Sequence, residues 1–179
     1  AQTQGTPVWG ELELAWHLRG ENPAAWLFIS GTNGKTTATL MLESMLKAAG
    51  KITAAVGNIG VSLVEAVTSG INFDVLATEV GAPQLPFVYS VSPLASACLN
   101  VAEDHVDHFG SFDAYVAAKS QVYWRTQRAC LYNAQDAATE QMVRDAEVVE
   151  GCRAVGFTLG IPSVSMLGVV DDVLVDRAF

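Results

Sequence analysis

Trp26-Leu27-Phe28-Ile29-Ser30-Gly31-Thr32-Asn33-Gly34-Lys35-Thr36-Thr37 is the stretch that decides the fold. Trp26–Ile29 is a short apolar run that reads as a buried strand, and it ends at a Gly-rich turn. From Thr36 to Ala49, apolar residues recur at Leu40, Leu42, Met45, Leu46 and Ala49, which is helical spacing. Gly50 follows in the expected C-terminal capping position. A strand, a glycine loop and a helix opening at Lys-Thr make a phosphate site. Glycines let backbone N–H groups curl around an anion. The helix N-terminus adds free donors and partial positive charge. Lys35 can reach the outer phosphates, and the Thr36 hydroxyl can hold an accompanying Mg²⁺.

The alternation continues outward from this unit. Ile52–Val56, Val75–Val80, Leu94–Val101, Cys130–Asn133 and Ala154–Phe157 read as strands. Val61–Thr68, Phe112–Trp124 and Ala137–Asp145 read as helices, the second capped by Ser111. Glu11–Leu18 suits a short packed helix. Strands alternating with helices predict an α/β fold, a doubly wound and mostly parallel sheet with helices on both faces. Met166–Val170 and Val173–Val175 flank Asp171-Asp172 and predict a C-terminal β-hairpin. One domain over residues 1–179 fits this length.

Half the residues are hydrophobic and 16% are charged, enough for a sizeable core. Net charge is −9, which repels nucleic-acid phosphates and argues against a nucleic-acid partner. Positive charge for a polyphosphate must therefore be local or come with metal ions. Cys98, Cys130 and Cys152 show no C-x-x-C or zinc spacing and read as small apolar residues in or near strands. No apolar run is long enough to span a membrane and no signal peptide is legible, so the expectation is a cytoplasmic protein with no membrane partner. The start at Ala1 without Met suggests an excised piece of a longer chain.

The loop departs from the general G-x-x-x-x-G-K-[ST] pattern, whose first glycine would fall on Ile29. The shorter G-T-N-G-K-T-T resembles the phosphate loop of the Mur ligases and their folylpolyglutamate synthetase relatives. The resemblance continues through Gly57-Asn58-Ile59-Gly60, Asn100-Val101-Ala102-Glu103-Asp104-His105-Val106-Asp107, Ala117-Ala118-Lys119 and Tyr132-Asn133-Ala134-Gln135-Asp136. It closes on Gly151–Thr158. The G-N-I-G and E-D-H-x-D segments favour the D-glutamate-adding members over the folate enzymes.

That resemblance implies a central domain that binds ATP, phosphorylates a substrate carboxylate and presents the acyl phosphate to an amino acid, in peptidoglycan synthesis. It implies ATP contacts from Gly31, Thr32, Asn33, Gly34, Lys35, Thr36 and Thr37, with Lys35, Glu79, His105 and Lys119 serving catalysis. Two Mg²⁺ ions are implied, one on Thr36 and Glu79 and a second served by His105 and Lys119, the lysine as a carbamate. Asn58, Gln84 and His105 would lie beside a UDP-sugar peptide precursor. Taken singly, Glu79 is also a strand-end carboxylate, His105 a structural histidine and Lys119 a solvated charge; their order in the chain raises them above those readings. His17 and His108 receive no role.

One segment departs from the family. E-L-S-S-F-Q-L is usual around the metal carboxylate; here it reads Glu79-Val80-Gly81-Ala82-Pro83-Gln84-Leu85. Two hydroxyls are absent, and Gly81 and Pro83 alter backbone freedom. The resemblance further implies N-terminal and C-terminal flanking domains as partners, and an adenine-contacting helix beyond residue 179. The isolated chain is therefore expected to bind ATP weakly and to ligate nothing. A related amino-acid or folylpolyglutamate-type ligase, and a non-catalytic nucleotide-binding module, are the alternative readings.

Overall fold

Apolar strands with helices between them can bury both faces only if the sheet lies in the middle. The computed structural model, which describes residues 7–103 and 109–179, has that arrangement. Helix α1 (Glu11–Leu18) precedes β1 (Ala25–Ser30), α2 (Lys35–Ala48), β2 (Thr53–Gly57), α3 (Leu63–Thr68) and β3 (Val75–Glu79). A 3₁₀ segment, Ala82–Phe87, leads to β4 (Ala95–Cys98), then α4 (Phe112–Ser120) and β5 (Ala129–Asn133). Helix α5 (Ala137–Arg144), β6 (Arg153–Phe157), β7 (Met166–Val170) and β8 (Val173–Asp176) complete the chain.

The eight strands form one sheet in the order β2-β3-β1-β4-β5-β6-β7-β8. Every pairing is parallel except β7 with β8. The chain moves one way from β1 to β2 and back again from β2 to β3. Right-handed crossovers then put α2 and α3 on opposite faces, as the doubly wound expectation requires. The core runs from Leu12 and Ala15 of α1 through Trp26 and Phe28 of β1 to Val122, Tyr123 and Cys130. Burying each large side chain contributes about 1.5–3 kcal/mol.

Local chemistry explains several boundaries. Gly50, in the left-handed region at φ 75°, closes α2. Its N–H donates to Lys47 O and that of Lys51 to Leu46 O, the paired bonds of a Schellman cap. Ser62 caps α3 through Glu65 N, and Ser111 caps α4 through Ala114 N. Asp171 and Asp172 both take positive φ, which gives the β7–β8 hairpin a tight two-residue turn.

The differences from expectation are at element ends. Strand β4 covers only Ala95–Cys98, because residues 99–102 leave the ladder to back the phosphate loop. The α4 helix stops at Ser120 and tightens into a 3₁₀ turn, Gln121–Tyr123. The Ala82–Phe87 segment is helical only as 3₁₀, with Pro86 inside it. Among the described residues, no helix is long and apolar enough to cross a membrane.

Candidate functional site

The site grows from the carboxyl ends of β1, β2 and β3, where doubly wound sheets place ligands. Parallel register sets Ile29, Glu79 and Gly57 side by side. The chain then turns in three ways: into the phosphate loop after β1, into Asn58–Gly60 after β2, and into the 3₁₀ segment after β3.

Gly34 occupies the N-cap of α2 at φ 80°, a left-handed position that glycine takes without a Cβ penalty. Lys35 Nζ folds back and donates to Gly31 O at 3.0 Å and Thr32 O at 2.9 Å. The Thr36 hydroxyl donates to Glu79 Oε2 at 2.8 Å. The other carboxylate oxygen, Glu79 Oε1, accepts from Asn58 Nδ2 at 3.0 Å. One carboxylate thus joins the first turn of α2 to the loop after β2. Glu79 is 2% exposed, so these two donors compensate for much of its lost hydration.

Gly57 makes this possible. It sits at φ 96°, and a Cβ there would fall well inside van der Waals distance of Glu79 O. Asn58 N donates to that same carbonyl at 3.0 Å. After β3, Gly81 N donates to Gln84 Oε1 at 2.8 Å. That bond uses the carbonyl end of the Gln84 side chain. The altered turn leaves room: a Cβ at Gly81 would meet only ordinary contacts, with Gln84 Oε1 nearest at 3.4 Å.

A cavity of about 260 Å³ is lined by Thr32, Lys35, Asn58, Gln84, Tyr115 and Lys119, among others. A second, of about 240 Å³, shares Asn58 and Gln84 and extends along Ile59 and Gly60. A larger cavity, about 410 Å³, lies at the amino ends of β1 and β3, between residues 19–24 and 66–76. It carries neither lysine nor phosphate loop, so size alone does not mark the site.

Lys119 is buried at 1% exposure on α4. Its Nζ stands 4.7 Å from the ring centroid of Tyr115, a cation–π distance. The Tyr115 hydroxyl in turn meets Thr32 Oγ1 at 2.9 Å. Tyr115 and Lys119 are four apart on one helix and so share a face. Tyr115 therefore links the buried lysine to the phosphate loop, a position that the sequence reading did not single out. The i, i+4 spacing to Lys119 was the available signal.

Asn100 is a second residue without an assigned part. Its Oδ1 accepts from Asn33 N at 2.8 Å and its Nδ2 donates to Asn33 O at 3.1 Å. Thr32 N donates to Asn100 O at 3.0 Å, and Ala102 N to Thr32 Oγ1 at 3.0 Å. The splint is itself braced. Asp136 accepts from Val101 N at 2.7 Å, and Asn133 Nδ2 donates to Leu99 O at 3.1 Å.

Of the expected site residues, Gly31, Thr32, Lys35, Asn58, Gln84 and Lys119 line one cavity, and Thr36 and Glu79 adjoin it through their hydrogen bond. Asn33, Gly34 and Thr37 are exposed on the loop and first turn. His105 and His108 lie outside the described residues. His17 stacks on Trp9 at 4.3 Å and bonds Glu13, far in sequence from the loop. Among the described residues, no cluster of three or more His, Cys, Asp or Glu could hold a metal. Thr36 and Glu79 instead offer a pair of hard oxygens, which fits Mg²⁺. That ion binds through one or two protein oxygens plus phosphates and water.

The family model for the Mur ligase middle domain matches residues 29–164. The chain belongs to the Mur ligase middle-domain family. It is 57% identical over 178 residues to the UDP-N-acetylmuramoylalanine--D-glutamate ligase of Streptomyces coelicolor, covering 98% of this chain and 38% of that protein. It is 48% identical over 192 residues to the same-named ligase of Leifsonia xyli subsp. xyli, covering all of this chain and 37% of that one. The chain thus spans under two fifths of the length of these relatives. Among solved structures, UDP-N-acetylmuramoyl-L-alanyl-D-glutamate--2,6-diaminopimelate ligase superposes with a TM-score of 0.69 at 17% identity, over 83% of this chain and 34% of that one. The MurF ligase of Thermotoga maritima in complex with ADP gives 0.65 at 16%, over 83% and 36%. At such identities the superpositions establish the fold.

Proposed function

We propose that this domain is the ATP-binding core of an ATP-dependent amide ligase that adds D-glutamate to UDP-N-acetylmuramoyl-L-alanine. The names of the curated relatives support the substrate pair, and the ADP in the MurF structure supports the nucleotide. The observation that carries the reading is the Thr36–Glu79–Asn58 relay beside Lys35. It sets a hydroxyl, a carboxylate and a cation at the mouth of one glycine loop.

The chemistry asks for such a set. A polyphosphate and a carboxylate repel each other, so charge must be neutralised where they meet. Backbone N–H groups of Gly34–Thr36 would cradle phosphate, and Lys35 would exchange its two loop carbonyls for phosphate oxygens. Thr36 and Glu79 would hold Mg²⁺, which supplies charge neutralisation when bound. Lys119, sealed beside Tyr115, would carry a carbamate and serve a second Mg²⁺ with His105. A lysine that has taken up CO₂ is an anion and can bind metal, where an ammonium cannot. Asn58 and Gln84, which open onto two adjoining cavities, would contact the UDP-sugar peptide. The substrate carboxylate would take the γ-phosphoryl group of ATP with ADP leaving, and the amine would then attack the resulting acyl phosphate and displace phosphate.

The test is ADP release by the full-length gene product. Release that requires both UDP-N-acetylmuramoyl-L-alanine and D-glutamate, and that Lys35→Ala abolishes, is the expected result. Release driven by a different amino acid or by a folate would transfer the core to a related ligase.

One observation favours a second reading, a non-catalytic nucleotide-binding module: the Gly81–Pro83 turn lacks two hydroxyls usual in the family. Position 81 has room for a side chain, so Gly81-Ala82→Ser-Ser in the full-length protein is a fair trial. A large gain of activity on restoration would mark a damaged enzyme, and no gain over an inactive natural protein would favour the module.

A further inference from the structure

Cys130 and Cys152 are 22 residues apart, and the fold brings them into contact. Cys130 is the second residue of β5, and Cys152 directly precedes β6. Parallel register pairs Cys130 with Ala154, so strand alternation sets position 152 on the same face as 130. Their Sγ atoms stand 3.8 Å apart, and both are free thiols.

The two thiols differ in their surroundings. Cys130 is 1% exposed, whereas Cys152 is only half-buried. Burial first, and then Cys152, push the Cys130 thiol up to about 12. Cys130 is therefore held protonated and shielded, and Cys152 is the more exposed residue of the pair. Neither belongs to the phosphate site. Cys130 pairs with Ser96 in β4, short of the carboxyl ends that carry the loops.

We propose that Cys130 and Cys152 form an oxidisable dithiol, a modification site at which a hydroperoxide converts the pair into a disulfide. In the first step the Cys152 sulfur attacks the peroxide. The O–O bond breaks, an S–O bond forms, and the thiol proton leaves with the departing alcohol or water. Cys152 is then a sulfenic acid. In the second step the Cys130 sulfur attacks Cys152 sulfur, the S–O bond breaks, and the Cys130 proton leaves with the hydroxide as water. Two thiols lose two electrons in all, and the peroxide gains them. Bond formation needs the sulfurs to close to about 2.05 Å, a movement of about 1.8 Å. Cys152 can supply it, since it lies ahead of the β6 ladder and its N–H bonds only to the adjoining turn at Val149 O.

The test is peptide mapping of the folded chain after hydrogen peroxide, with dimedone present to trap sulfenic acid. The expected product is a peptide pair linked through Cys130 and Cys152, lighter by two hydrogens and released by dithiothreitol. In C130S the trap should accumulate on Cys152, about tenfold above the unsubstituted protein. Equal trapping in both proteins, a map without the linked pair, or oxidation of buried Cys98 as fast as Cys152 would each overturn the proposal. The map of the unsubstituted protein decides even if C130S does not fold.

Discussion

The hydroxyl of Thr36 donates to Glu79 Oε2 at 2.8 Å, tying the first turn of α2 to the end of β3 across 43 residues of chain. This bond does two things. It fixes a hydroxyl and a carboxylate side by side where a cation with phosphate would sit. It also makes the buried carboxylate a structural joint, because the other oxygen holds Asn58. Replacing Glu79 with Gln keeps the shape and removes the charge. The expected outcome is a folded protein whose nucleotide affinity no longer rises with Mg²⁺, read by calorimetric titration of the full-length protein at several Mg²⁺ concentrations. An unchanged Mg²⁺ dependence would remove Glu79 from the site.

Asn100 grips both backbone polar groups of Asn33. Asn100→Ala leaves them to water, since Asn33 is exposed, so the stability cost should be modest, about 1 kcal/mol. The cost to binding should be larger, about tenfold in ATP affinity, because the loop then orders only on binding. Hydrogen exchange at the Asn33 amide measures the loosening directly. Protection equal to that of the natural chain would contradict the splint.

Gly57 stands at φ 96° against the carbonyl of Glu79. Gly57→Ala combines a disfavoured backbone angle with a clash against backbone that cannot move aside cheaply. A loss of at least about 2 kcal/mol follows. Denaturant unfolding reads it, and a loss under about 0.5 kcal/mol would show that the β2 turn relaxes freely.

Glu13 is the buried clamp of α1. Burial alone would raise its carboxyl, but hydrogen bonds from Ser90 and Tyr89, with His17, outweigh it and hold it below its ordinary value. A depressed folded value means stability that is present above the unfolded value of about 4.5 and lost as pH falls through the folded one. The melting temperature should therefore fall more steeply below pH 4.5 in the natural chain than in Glu13→Gln. Parallel curves would contradict the clamp.

Lys119 offers a separate check. In ¹³C-bicarbonate, the full-length protein with Mg²⁺ should show a carbamate carbon resonance that Lys119→Met lacks. A signal that persists in the variant would place the carbamate elsewhere.

Much of the fold was legible because it is written locally. The apolar run Trp26–Ile29, the capping Gly50 and the Asp171-Asp172 turn each act within a few residues. The site was legible only in part. Lys35 and Thr36 lie inside the loop motif, and Glu79 ends an apolar strand. What links Glu79 to Asn58, Asn33 to Asn100 and Cys130 to Cys152 is strand order and parallel register, which no local pattern encodes. The apolar Leu99 and Val101 extend the strand pattern past Cys98, yet this segment serves the phosphate loop rather than the ladder.

The central claim is that the glycine loop, Thr36 and Glu79 together receive a nucleotide with its metal. A structure of the full-length protein with a non-hydrolysable ATP analogue and Mg²⁺ tests it most directly. The account predicts terminal phosphates within hydrogen-bond reach of the Gly34–Thr36 amides and Lys35 Nζ, with Mg²⁺ on Thr36 Oγ1 and Glu79. Phosphates bound elsewhere, or a metal that ignores both residues, would contradict it.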